Sequence, residues 1–284
     1  MKRQGFGLLL AGLACAGWAR CGDTQSAAAI TATPPAPDAG WTLVWSDEFE
    51  GDAGTPPSAA QWKHDVGGNG WGNQQLEYDT DLPQNASLDG HGHLAITALK
   101  QNFGGNAYSS ARINTAGLFD QAYGRFEASI QLPPGAGLWP AFWLLGANVN
   151  SVPWPGCGEI DIMEYRGQQP TLIHGSAHGP NYSGGRAITA SHGLPGNEGD
   201  FSSGFHVFAV EWTPNRIDYR VDDTVYETIT PSNLPAGSTW VFDHPFFVLL
   251  NLAVGGNYVG NPDATTPFPA VMLVDYVRVY EQAK

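Results

Sequence analysis

Residues 158–165 read Gly158-Glu159-Ile160-Asp161-Ile162-Met163-Glu164-Tyr165. Acidic and apolar residues alternate from Glu159 to Ile162, the pattern of a strand with one buried face. Glu159 and Asp161 then share a face, with Ile160 and Ile162 on the other. Glu164 comes five residues after Glu159, which in a regular strand puts it on the core face, where a bare carboxylate is costly. Either the strand ends first, or a bulge at Ile162-Met163 adds one residue and returns Glu164 to the acidic face. The bulge is the preferred reading, because otherwise Met163 is exposed beside a buried carboxylate.

The same texture extends outward from this segment. Short alternating stretches bounded by Gly, Pro, Asn or Asp read as strands at 41–45, 93–99, 111–113, 124–131, 141–145, 159–165, 171–178, 206–212, 216–221, 224–230, 246–252 and 271–281. No helix of more than a turn or two is expected. The series predicts an antiparallel sandwich, of jelly-roll or immunoglobulin-like type. The 284 residues include 36 Gly and 21 Pro with only 14% charged residues, which disfavours a helical bundle. The net charge of −14 argues against a nucleic-acid partner and against a polyanionic substrate, which the field would repel.

The N-terminal region reads differently. Residues 1–22 combine Lys2 and Arg3 with an apolar run from Gly5 to Ala19, a secretory signal pattern too short to span a membrane. Cleavage is expected near Ala14-Cys15-Ala16 or in the run Ala27-Ala28-Ala29. Removing Lys2, Arg3 and Arg20 takes the net charge from −14 to −17. Cys15 and Cys21 are the candidates for a lipid-modified cysteine, but neither has Leu three positions before it. Residues 23–40, rich in Ala, Thr and Pro, read as a flexible linker. Residues 41–284 form the remaining domain. No later stretch is apolar enough for a membrane span. If cleavage follows Cys21, only Cys157 remains and no internal disulfide forms.

Three acids on one face repel unless their protonation differs, the condition in which one carboxyl keeps its proton while another ionises. A retaining glycosidase needs that division, with two carboxyl groups roughly 5–5.5 Å apart. After the bulge the two Glu lie four strand steps apart, roughly 13 Å between Cα atoms in a flat strand. The strand must therefore curve, concave towards the acids, with Asp161 between them. A bent jelly-roll sheet with a cleft on its concave face does this. The competing reading is a solvated edge strand, which the apolar flanks disfavour.

These residues, GEIDIMEY, resemble the signature of glycoside hydrolase family 16 in its bulged form. Residues 138–145 (LWPAFWLL) resemble the strand before that signature, and residues 70–78 (GWGNQQLEY) the cleft loop of the family's β-1,3-glucanases. Residues 110–115, 123–127, 247–256 and 275–280 match as well. The resemblance covers about 41–281. It implies an all-β fold, an antiparallel β-sandwich of jelly-roll (concanavalin A-like) type with a concave substrate cleft. It also implies a retaining endo-hydrolase of β-1,3-glucan, a polysaccharide; secretion is expected from residues 1–22, and a monomer is the expected state. Glu159 takes the place of the nucleophile, Asp161 of its assisting carboxylate and Glu164 of the general acid/base. Gln75 departs from the Glu of many relatives and puts one subsite in doubt. The same chemistry on mixed-linkage glucan or a galactan, transglycosylation, and a non-catalytic glucan-binding protein are the alternatives.

Trp139 and Trp143, four apart on one strand, share a face. By themselves they read as core; the resemblance places them in the cleft, stacking glucosyl units. Trp71, on a Gly-rich loop, reads as an exposed cleft wall. Asn73, Arg112, His178 and Asn251 are candidates for binding sugar hydroxyls, and Arg112 equally for pairing with an acid. His91/His93 and His174/His178 are the only close His pairs, and no CxxC or HExxH occurs, so no metal or other cofactor is expected in catalysis. The resemblance alone suggests a structural Ca²⁺ on the convex side, at Glu48, Gly90 and Asp275. Cys157 reads as a small buried, inert thiol. Asn85 and Asn181 fit the glycosylation pattern.

Overall fold

Residues 40–196 and 199–283 are described by the computed structural model. The signal-peptide expectation for 1–22 and, Gly40 apart, the linker expectation for 23–40 lie outside the described residues. The strands are β1 (Trp41–Asp47), β2 (Lys63–Asp65), β3 (Glu77–Asp79), β4 (Ala86–Leu88), β5 (Leu94–Ala98) and β6 (Tyr108–Ser110). They continue as β7 (Arg112–Asn114), β8 (Gly124–Gln131), β9 (Leu138–Gly146), β10 (Glu159–Tyr165), β11 (Leu172–His178) and β12 (Ile188–Gly193). The last are β13 (His206–Thr213), β14 (Arg216–Val221), β15 (Thr224–Ile229), β16 (Phe246–Val254) and β17 (Ala270–Gln282). Three 3-10 turns, Gly70–Gly72, Gly184–Arg186 and Pro231–Asn233, are the helical segments among the described residues.

Two antiparallel sheets carry nearly all of these strands. One runs β15-β14-β13-β8-β17-β5-β4, with β1 also paired to β17; the other runs β12-β11-β10-β9-β16-β7-β2. The short pair β3 and β6 is parallel and stands apart. The acid-bearing β10 is thus a central strand, flanked by β9 and β11.

Period-two alternation decides which side chains meet the core. Leu138, Phe142 and Leu144 of β9 enter it, as do Val248, Leu250, Leu252 and Val254 of β16. The intervening Trp139, Ala141, Trp143 and Leu145, with Asn251 of β16, line a cleft on the other face. From the opposing sheet come Phe126, Ile130, Val210, Trp212, Tyr219, Val277 and Val279. Gly175 permits this approach: a Cβ there would meet Tyr226 Oη at 2.3 Å and Tyr219 Cδ1 at 2.6 Å. The Tyr219 hydroxyl, so admitted, donates to the Ser176 carbonyl at 2.7 Å and ties β14 to β11.

Asn85 is fully buried and hydrogen-bonded to Thr80, Thr97 and Ser109. The glycosylation reading of Asn85 is therefore corrected, since a glycan needs an exposed side chain. Asn181 is exposed. Among the described residues no helix is long and apolar enough to cross a membrane.

Candidate active site

The bulge lies where the carboxylates require it. Asp161 pairs with Ser176 and Glu164 with His174 across β11, so three steps on β10 match two on its neighbour. Against β9, Asp161 pairs with Trp143 and Met163 with Phe142. Ile162 and Met163 both enter the core, while Glu159, Asp161 and Glu164 all line the cleft.

This cleft, of about 870 Å³, crosses the sheet. Every substrate-binding candidate, Trp71, Asn73, Arg112, Trp139, Trp143, His178 and Asn251, lines it. Trp71 is half-buried rather than exposed. It adopts the left-handed region, φ 47°, which is strained for a bulky side chain. Asn69 Oδ1 accepts from its backbone N–H at 3.0 Å, and the Arg112 guanidinium carbon stands 4.7 Å from its ring centroid. The same guanidinium stands 4.7 Å from the ring of Trp143. Arg112 Nε donates to Asp65 Oδ2 at 2.9 Å, and Trp143 Nε1 to Asn251 Oδ1 at 2.8 Å. Arg112 is therefore both a paired residue and a spacer between two cleft indoles.

Around the carboxylates, Trp139 Nε1 donates to Glu164 Oε1 at 3.1 Å and Ser176 Oγ to Glu164 Oε2 at 3.5 Å. His178 Nε2 lies 2.8 Å from Asp161 Oδ2 and 3.7 Å from Glu159 Oε1. It is not aligned as a hydrogen bond: Asp161 Oδ2 is buried without a donor. The Gly184 backbone N–H donates to His178 Nδ1 at 3.1 Å, which leaves the proton of the neutral ring on Nε2, facing the acids.

Burial pushes all three carboxyl groups up to about 8. For Glu159 and Glu164 the charge of Asp161 adds to the rise, while His178 opposes it. Ionising one acid therefore holds its neighbours protonated, so one carboxylate and one carboxylic acid can coexist near neutral pH. Among the described residues, Glu159, Asp161 and His178 are the one group of three or more His, Cys, Asp or Glu whose ligand atoms, all within 4.8 Å of one another, could hold a metal ion. A cation there would occupy the carboxylates themselves.

Several cleft residues escaped the sequence analysis. Arg166 lies 4.0 Å over the Tyr258 ring, which packs on Trp139 with centroids 4.9 Å apart. His174, earlier only half of a His pair, bonds Ser191 Oγ through Nδ1 at 2.8 Å. Burial and Arg166 push its pKa down to about 4. Trp154 stands at the rim. Arg166 directly follows the signature, and Tyr258 follows the quoted segment 247–256 by two residues, so adjacency was the available signal.

Behind Trp71 lies a second acidic pair. Glu77 and Asp79 of β3 are buried, and Glu77 Oε2 accepts from the Val254 backbone N–H at 2.8 Å. Burial raises Glu77 to about 7 and raises Asp79 well above the carboxylate range, with the charge of Glu77 contributing to the latter. The Trp71 indole is near enough to favour the ionised Asp79, yet Trp71 Nε1 and Asp79 Oδ1 lack an aligned hydrogen bond.

Cys157 is a buried free thiol, and burial pushes it up to about 11. Glu48, directly after β1, engages Arg278 of β17 through both carboxylate oxygens, at 3.0 and 2.6 Å. A cation at Glu48, Gly90 and Asp275 would draw on the Asp275 carboxylate and on backbone oxygens.

A family model described as "Glycosyl hydrolases family 16" matches residues 70–277. A β-glucanase of Rhodothermus marinus is 42% identical over 252 residues, covering 84% of this chain and 85% of that protein. Among solved structures, the endo-β-1,3-glucanase from Pyrococcus furiosus superposes with a TM-score of 0.82 at 46% identity, covering 87% of this chain and 97% of that one. The laminarinase catalytic domain from Thermotoga maritima gives 0.81 at 43% identity, covering 86% and 100%.

Proposed function

The chain belongs to glycosyl hydrolases family 16 and is a glycoside hydrolase; from that premise we propose that it is a secreted, retaining endo-β-1,3-glucanase of laminarin-type glucans. The observation that carries the mechanism is the shared face of Glu159, Asp161 and Glu164 on the floor of an open cleft. The choice of β-1,3-glucan is supported by the loop at residues 70–78 and by the relatives' activities.

In the first step the Glu159 carboxylate attacks the anomeric carbon. The bond from that carbon to the glycosidic oxygen breaks, and Glu164 gives its proton to the departing oxygen. A glycosyl ester on Glu159 results. In the second step Glu164, now ionised, takes a proton from water as the water oxygen attacks the anomeric carbon. The ester breaks, releasing Glu159, and Glu164 is again protonated. His178 favours the ionised Glu159, a protonated Asp161 leaves that charge unopposed, and Trp139 orients Glu164 by its indole N–H. Trp71, Trp143, Arg112, Asn73 and Asn251 bind sugar rings and hydroxyls on one flank. This chemistry uses carboxylates alone; a Ca²⁺ at Glu48, Gly90 and Asp275 would brace the convex sheet. Export rests on the pattern of residues 1–22, and a monomer is the expected state.

Reducing-sugar release on laminarin, lichenan, agarose and κ-carrageenan, side by side, tests the proposal. Dominant release from laminarin supports it. Preference for another polymer overturns the substrate, and silence of the folded protein on all four overturns the reading.

A further inference from the structure

Trp154 lies on the loop between β9 and β10. It is 46% exposed and is the one tryptophan among the exposed large apolar side chains of the described residues. A lone exposed apolar side chain on an outer surface is ordinary, but Trp154 lines the active-site cleft. Its ring centroid is 6.1 Å from that of His178, the residue beside Glu159 and Asp161. Gly184 and Gly185 line the same end of the cleft, and nothing lies within 4 Å of the place a Cβ would occupy on either. The indole thus shares that cleft with two glycines that face open space. Trp71, Trp143 and Arg112 belong to the other flank, towards β9, β16 and β7, whereas His178 and the Gly184 turn belong to β11 and its connection to β12.

An equatorially substituted sugar ring presents flat C–H faces with hydroxyls at its edge. An exposed indole in an open cleft that glycines also line matches that shape. We infer that Trp154 is the stacking platform for a sugar unit on the β11 side of the carboxylates, across the scissile bond from Trp71 and Trp143. The inference rests on the glycan-cleaving reading of the site. It gives the cleft aromatic surface on both flanks, so that a chain is gripped on either side of the bond that breaks. Trp154 itself takes no part in bond making.

Two measurements on the full chain test it. In Glu159→Gln, titration calorimetry with laminarihexaose gives a dissociation constant. Adding Trp154→Ala should raise that constant about tenfold, the size of a good aromatic contact, and Trp154→Phe should restore most of the loss. In the active protein, Trp154→Ala should shift the cleavage frame of reducing-end-labelled laminarihexaose. An unchanged constant and frame overturn the inference. So does an equal loss in Ala and Phe variants, which marks a merely structural role. An unmutated protein inactive on β-1,3-glucan counts against the glucanase reading, whereas an active one with a Trp154-independent frame counts against this inference alone.

Discussion

Asp161 and Glu164 are three residues apart on β10 but pair with Ser176 and His174, two residues apart on β11. That single extra residue buries both Ile162 and Met163 and leaves three carboxyl groups in one cleft. The cost of burying them becomes the means of dividing their roles, since burial, with the charge of Asp161 adding to it for both Glu, pushes each up to about 8.

Glu159→Gln and Glu164→Gln are each expected to lower kcat by about a thousandfold or more while the melting temperature holds. Azide should restore cleavage to Glu159→Ala with inverted product. Near-parental hydrolysis by either Gln variant would remove that residue from the chemistry.

The acid limb of the kcat/KM profile should report ionisation of Glu159. His178 favours the ionised form of Glu159 and so lowers its pKa. His178→Gln should therefore move that limb to higher pH. A limb that stays in place, or moves down, would mean that His178 does not act on the nucleophile.

Arg112→Ala should release Trp71 and Trp143 from their common spacer. The expected result is a KM for laminari-oligosaccharides raised about tenfold with kcat changed far less. Arg112→Lys should recover only part, because an ammonium lacks the flat guanidinium face. A loss confined to kcat would contradict the binding role.

Glu77 carries a folded pKa of about 7, raised by burial from the ordinary value. A raised folded pKa contributes stability that is complete below the unfolded value, about 4.3, and lost as pH rises through 7. Between pH 5 and 8 the melting temperature of Glu77→Gln should therefore fall several degrees less than that of the parent, at about 2–4 °C per kcal/mol for a domain of this size. Parallel slopes would show that the folded pKa of Glu77 is not raised above its unfolded value.

Much of this was legible in residues 158–165, because alternation and the cost of a buried carboxylate together demanded the bulge. The long strands read well: Gly124–Gln131, Glu159–Tyr165 and Arg216–Val221 run as the alternation predicts. The three-residue strands β2, β3, β4 and β6 did not, since so few residues show no period. Edge strand β12, whose residues are half-buried or exposed, lacks an apolar face to betray it. Arg166 and Tyr258 left only their adjacency to quoted segments as a signal, and Trp154 and His174 escaped for another reason. These two reach the cleft through pairing or loop paths between distant segments, and nothing local to their sequence says so. The stacked position of Arg112 likewise depends on β7 lying beside both β2 and β16.

The most direct test is the configuration of the first product. Proton NMR of laminarin digestion by the purified protein, recorded before mutarotation, should show β-anomeric reducing ends appearing first and α later. Initial release of the α anomer would contradict a glycosyl ester on Glu159 and with it the retaining mechanism.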